Sequence, residues 1–306
     1  MAGTSGSDVR RRPPLGFGVL MIVLAALLVV SSVLGPLGLD VVDYPVSESL
    51  VNQMIGLEVV TLLLVVPWAV WSGILALRDH PAAPLLAFGP AAYAAYMFVQ
   101  YVVGPEYPTY SAVALFHVAV SGLAGGLVLR AWSLARDRPT PAPTPSRRRW
   151  LAWLSFGLAA FVVSRYADLL AGAGQGHRLT AEYADEPTFF WSIVLLDLGC
   201  VVPLTVAAGV TTLRDTPAGR RAPYAVLGWF ALVPPSVAAM GVAMLVRDDP
   251  LASTGTVVML SLVSVAFAAV AVAVLHALFA SSAEGADARR PPGAPGGLRS
   301  VGLFRR

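Results

Sequence analysis

The sequence predicts an all-α transmembrane fold, an eight-helix polytopic bundle built as two parallel four-helix repeats. Three observations predict it. Hydrophobic residues make up 57% of the 306-residue chain and charged residues only 13%, where a soluble domain carries about 25% charged. Eight apolar runs are each long enough for a hydrocarbon core of about 30 Å, which takes about 20 helical residues. LLLVVPWAVWSGILALRDHPA at 62–82 returns in altered form as LGCVVPLTVAAGVTTLRDTPA at 198–218. A constant offset of 136 residues aligns Pro67 with Pro203, Gly73 with Gly209, Arg78 with Arg214, Asp79 with Asp215 and Pro81 with Pro217. Matches of Val, Leu and Ala are cheap in an apolar chain, whereas Pro, Gly, Arg and Asp in one register are not. They read as an internal repeat.

Residues 1–14 form a polar segment ending in Arg10, Arg11 and Arg12, and the apolar run 15–35 follows. That run exceeds the 7–15 residues of a signal-peptide core and no A-x-A site follows it, so it reads as an uncleaved first span. Span two covers about 51–77 and stops at Arg78-Asp79-His80-Pro81, where Pro discourages further helix. Spans three and four cover about 83–103 and 109–130, closing a first repeat over 15–132. Residues 133–149, SLARDRPTPAPTPSRRR, are a Pro-rich basic linker, extended and stiff. A second repeat over 150–280 holds spans five to eight, at about 150–171, 189–213, 223–246 and 252–280. Residues 281–306, rich in Pro, Gly and Arg, read as a disordered tail.

All 21 basic residues are Arg. Without Lys there is no Schiff base, which excludes a retinal protein. Arg10 to Arg12, Arg78, Arg130, Arg136, Arg138, Arg147 to Arg149, Arg214, Arg220, Arg221 and the five tail arginines fall on one side of an eight-span path; only Arg178 and Arg247 fall on the other. The positive-inside rule puts both termini and the linker in the cytoplasm. With its Arg, Ala and Pro richness, the chain is expected in a bacterial inner membrane. The pI near 9.2 reflects this orientation and not nucleic acid; the partner is the lipid bilayer. The lone Cys200 allows no intramolecular disulfide.

Glu58, Asp197, Arg165, Asp168 and His117 fall inside apolar runs. A charge at mid-membrane costs roughly 2.5–3.5 kcal/mol, less toward the ends. All five lie in the outer half; Glu58 and Asp197 are about 8–12 Å below its edge at about 1.5 Å per residue. Gln53, Tyr93, Tyr96, Gln100, Tyr101 and Tyr166 share the layer. Arg165 and Asp168, three apart on one face, are expected to pair and snorkel, and a salt bridge of Glu58 or Asp197 to Arg165 is the structural alternative to a ligand site. Three carboxylates against one Arg leave a surplus that a proton, water or a cation must satisfy. His117 reads first as a packing residue, on a face continuing through Ser121 and Gly125 beside a Gly122–Gly126 GxxxG. Pro67 and Pro203 read as hinges that free the carbonyls of Leu63 and Gly199, like the broken helices of transporters. The Asp of each RDxP end opposes the helix dipole, which cross-pairing of Arg78 with Asp215 and Arg214 with Asp79 would relieve.

No HExxH, GxSxG or Walker motif is present. The four His are scattered, so neither a His-rich metal site nor a cofactor is indicated, and a mixed His117–Glu58–Asp197 site is a lesser alternative. LLLVVP at 62–67 and DLGCVVP at 197–203 resemble stretches of uncharacterised multi-pass membrane proteins of bacteria. The resemblance covers the helical core and implies no activity. The sequence therefore favours binding or transport of a small cationic or proton-coupled solute, with Glu58 and Asp197 as ligands and Arg165 as counter-charge. The rival reading is a membrane scaffold or sensor subunit.

Overall fold

A computed structural model of the chain describes residues 15–138, 140, 142–176 and 178–287. The N-terminal arginine cluster, His177 and the tail from 288 onward lie outside the described residues. The described chain is all helix and loop. Its helices are α1 (Leu15–Leu34), α2 (Glu48–Leu77), α3 (Ala83–Val103), α4 (Ala112–Arg136), α5 (Pro145–Ser164), the short α6 (Ala167–Gly172), α7 (Pro187–Leu213), α8 (Ala222–Val246) and α9 (Thr254–Asp287). α9 runs into the segment expected to be tail, as far as Asp287.

Seven of these helices are long and apolar enough to cross a membrane: α1, α2, α3, α4, α7, α8 and α9. The chain is a multi-pass membrane protein. The run expected as span five departs from the pattern. α5 begins at Pro145, with Thr144 capping the Arg147 N–H, carries Arg147 to Arg149 in its first turns, and ends at Ser164 instead of near 171. The N–H groups of Arg165 and Tyr166 bond back only three residues, to Val162 and Val163, a tightening that closes the helix. A separate turn of helix, α6, follows.

α3 and α8 sit at the centre. α3 packs on α1, α2, α4, α7 and α8; α1 packs on α2, α5 on α7, α2 on α8, and α8 on α9. Lipid gives no hydrophobic gain for bringing helices together, so close van der Waals approach between small residues holds such pairs. A Cβ on Gly18 would lie 2.8 Å from the Gly73 carbonyl oxygen, and one on Gly89 2.8 Å from that of Gly228. α4 packs through His117, Val120, Ala124, Leu127, Ala131 and Ala135, the i, i+3, i+4 rhythm of one face. Open space surrounds Gly122 and Gly126, so the GxxxG makes no helix contact among the described residues.

Pro67 and Pro203 do more than kink their helices. Each follows a single π-helical turn, Thr61–Val65 in α2 and Asp197–Val201 in α7. The Val66 N–H bonds to the Thr61 carbonyl and the Val202 N–H to that of Asp197, five residues back. Widening the turn relieves the clash of the proline ring with the carbonyl four residues earlier. α8 breaks outright at Ala231–Leu232, ahead of Pro234-Pro235, while Pro90 stays within α3.

The RDxP ends are resolved differently from the expected cross-pairing. Asp79 and Asp215 both take the left-handed conformation, φ 54° and 51°. The Asp79 N–H bonds to the Ala76 carbonyl and the His80 N–H to that of Leu75; Asp215 and Thr216 repeat the pattern with Thr212 and Thr211. This is the Schellman arrangement, with Asp where Gly is usual because its short polar side chain tolerates the region. Their carboxylates turn to the linker and its neighbour: Asp79 accepts from Arg138, and Asp215 from Arg148 at 2.9 Å and Arg220 at 3.1 Å. Among the described residues Arg78 and Arg214 are not partners of these carboxylates. Pairing with Arg220 first, then Arg148, holds the Asp215 carboxyl below its ordinary range.

Candidate functional site

The intramembrane polar residues fall into two separate clusters, not one site. In the first, Asp197 opens the π-turn of α7 and is 2% exposed. Tyr96 from α3 and Tyr166 from the α5–α6 break each donate a hydroxyl to it at 2.6 Å, one to each carboxylate oxygen. Arg165 adds an ion pair at 3.6 Å. The early end of α5 explains this geometry: stopping at Ser164 swings Arg165 and Tyr166 together toward α7. Bonds to an ionised acceptor at this length are among the stronger ones, and every charge here has a partner. Arg165 therefore serves Asp197 rather than Asp168, which is exposed and belongs to neither cluster. Trp229 packs edge-on against Tyr96, with centroids 5.5 Å apart, and lines the small cavity beside Asp197.

The second cluster centres on Glu58 of α2, 4% exposed. One carboxylate oxygen, Oε2, accepts the Leu37 N–H at 2.9 Å. The other, Oε1, is buried without a hydrogen-bond partner among the described residues. The loop after α1 crosses directly over it: a Cβ on Gly35 would meet Oε1 at 2.1 Å, so only glycine permits this approach. A cavity of about 10 Å³ adjoins Glu58, lined by Ser31, Ser32, Thr61, Tyr93 and Tyr101 together with apolar neighbours. That is room for one water-sized occupant. Tyr93 continues the polar path to Ser236 of α8 at 2.9 Å.

His117 borders this second cluster. Its Nε2 lies 3.4 Å from the Tyr44 hydroxyl, its ring stacks on Tyr44, and Phe98, Tyr101 and Phe116 enclose the rest. It is 1% exposed, and its Nδ1 has no partner among the described residues. Burial first, then the charge of Glu58, pushes the Tyr44 phenol well above its ordinary range; Tyr44 and Glu58 share one electrostatic environment. The aromatic enclosure agrees with a packing role for this histidine. No group of three or more His, Cys, Asp or Glu residues that would hold a metal ion occurs among the described residues.

A third set of contacts seals the end of the bundle nearest both clusters. Gln53 donates to Glu182 at 2.8 Å, Asn52 to Asp249 at 2.9 Å, and the Ser47 N–H to Glu186 at 2.6 Å. Carboxylates from two distant loops thus gather at the start of α2, where the helix dipole favours negative charge. Burial, then the neighbouring Glu182, pushes the Tyr183 phenol up, and burial raises Tyr107 to about 12. The sequence offered a signal for this cap, since Asn52-Gln53 is a polar pair inside an apolar run. It offered none for Gly35, Ser31 or Ser32.

No family model, curated protein or solved structure matches the chain.

Proposed function

We propose that the chain is an eight-span bundle of two four-helix halves, with both termini in the cytoplasm of a bacterium, that binds a proton or small cation at Glu58 from the outer side. The observation that carries the binding reading is the Glu58 carboxylate, buried with one oxygen unpartnered beside a water-sized cavity. A buried charge is retained only when paired or neutralised, and Leu37 supplies a single backbone N–H. The small cavity favours a proton or a bare ion over an organic solute. Asp197, with all its charge matched by Tyr96, Tyr166 and Arg165, is better read as a structural anchor. Such an anchor is what the scaffold alternative would use.

The eight-span arrangement draws support from α5, whose two ends are tied along α7 by Arg148–Asp215 and Arg165–Asp197. That sets α5 antiparallel to a membrane-length helix. The repeat draws support from the two π-turns, which begin 136 residues apart at Thr61 and Asp197. The packing pairs α1–α2 and α5–α7, α2–α8 and α7–α3, and α3–α4 and α8–α9 correspond under one exchange of halves. A cysteine at Thr140 in a Cys200→Ser background tests the topology. Labelling from the cytoplasmic side alone is expected, and labelling from outside would overturn the cytoplasmic placement of the linker.

Binding at Glu58 is tested by infrared difference spectra and thermal melts of detergent-purified protein across pH. Wild type is expected to show a carboxylic C=O band that titrates and is lost in Glu58→Gln, together with a pH response of the melt that the variant lacks. A variant whose spectra and pH response match wild type would remove Glu58 from the site.

A further inference from the structure

We propose that the cavity beside Glu58 is a binding site for a dehydrated monovalent cation of sodium's size. The proposal rests on Glu58 as the binding carboxylate and names its ligand. The cavity's other lining residues include five that carry a hydroxyl, Ser31 and Ser32 at the end of α1, Thr61 at the start of the α2 π-turn, and Tyr93 and Tyr101 on α3, alongside Leu57, Met97 and Phe98. Oxygen donors with no thiolate or imidazole among them suit a hard cation. A single carboxylate balances a single positive charge, and a neutral pair is what a low-dielectric site tolerates best. A divalent ion would bring an unmatched charge. The other buried carboxylates are engaged elsewhere, Asp197 with Arg165 and two tyrosines, Asp249 with Asn52.

Size and enclosure add selectivity. About 10 Å³ accommodates one water-sized particle and excludes an ion with its hydration shell. The ion must shed its water, and the hydroxyls and Glu58 Oε1 replace it. π-turns concentrate at functional positions because they widen the helix and displace its polar groups, and this one opens at Thr61. The titratable groups around Glu58 are Asp40 and Tyr44 of the covering loop, Tyr93 and Tyr101 of α3 and, beyond Tyr44, His117 of α4. A proton and the cation therefore compete for one carboxylate.

The test is thermal stability of the full chain in detergent, titrated with sodium chloride at constant ionic strength against potassium and choline chloride. A saturable rise of roughly 5 °C at a large excess over the dissociation constant is expected with sodium, smaller or absent with potassium, and absent in Glu58→Gln. Ser32→Ala is expected to raise the sodium midpoint about tenfold, as the loss of one ligand worth about 1.4 kcal/mol does, and serves if the Glu58 variant does not fold. Equal responses to sodium and potassium, or an unchanged sodium response in both variants, would overturn the proposal. A titrating Glu58 band with no sodium response would also overturn it while leaving Glu58 as a proton site. Loss of both would remove the site altogether.

Discussion

Two buried carboxylates in one bundle, Glu58 and Asp197, are handled in opposite ways. Asp197 receives two tyrosine hydroxyls and a guanidinium, Tyr96 from α3 and the other two, Tyr166 and Arg165, from a helix that ends early. Glu58 receives one backbone N–H and leaves an oxygen beside a cavity. The helices that carry them are alike, each with a π-turn before a proline. At the offset of 136 residues, however, Asp197 aligns with Thr61, and Glu58 aligns with Val194. Relative to their own π-turns the two acids stand about one helical turn apart. At the π-turn itself Asp197 meets donors from α3 and α5; one turn away Glu58 meets a loop that offers a backbone amide and a glycine. Saturation of hydrogen bonds at one acid and its absence at the other separate a carboxylate with both oxygens engaged from one with an oxygen left unpartnered.

The largest effect is expected at the saturated acid. Asp197→Ala leaves the Tyr96 and Tyr166 hydroxyls without their acceptor, a loss on the order of 3 kcal/mol. The tyrosines dominate this figure, since the Arg165 side chain is 42% exposed and its pair is screened. Thermal melts in detergent should put Asp197→Ala lowest of the variants considered, with Tyr96→Phe and Tyr166→Phe each milder. A melt for Asp197→Ala equal to wild type would erase the contrast between the two acids.

Gly35→Ala follows, because the new methyl would collide with Glu58 Oε1. Overpacking of this kind costs about 1–3 kcal/mol. The cost should shrink when Glu58 is also shortened to Ala, so a double-mutant cycle is expected to show coupling. Additive losses would mean that the loop does not rest on the carboxylate. Glu58→Gln should be smaller still, within about 1 kcal/mol of wild type or stabilising, since an amide of equal shape removes a charge that lacks a full set of partners. A loss matching that of Asp197→Ala would make both acids structural.

The helical architecture was legible because spans are long and apolar, and the membrane forces every backbone polar group to be satisfied within its own helix. Proline and the RD pair were legible as punctuation, but their partners were not. Arg138 and Arg148 lie in a segment with no periodicity, so nothing in the sequence directs them to Asp79 and Asp215. Arg165 and Asp168 satisfied a helical spacing rule that fails once the helix stops at Ser164. The separation of Glu58 from Asp197 was implicit in the aligned register, which pairs Asp197 with Thr61 and not with Glu58. Gly35 was unreadable, because the need for glycine arises only when a loop from one helix crosses a side chain of another.

The smallest expected effect concerns the cap that closes this end of the bundle, where Asp249 tests whether both acids depend on it. Burial works against ionisation of its carboxyl, but bonds from Asn52 and the Leu251 N–H outweigh it and hold the group below its ordinary range. A carboxyl depressed in the folded state contributes stability that is fully present above its unfolded value, near 4, and is lost as pH falls through the lower folded value. Wild type should therefore destabilise below about pH 4 more steeply than Asp249→Asn, whose melt is lower at neutral pH and flatter in acid. Asn52 lies on α2 between the cap and Glu58, six residues before it, so a disturbed cap should reach the unsaturated acid before the saturated one. If Asp249→Asn shifts the Glu58 titration and leaves the Asp197 cluster's contribution to the melt unchanged, the cap belongs to the binding half of the comparison. Equal disturbance of both would make it a general closure of the bundle.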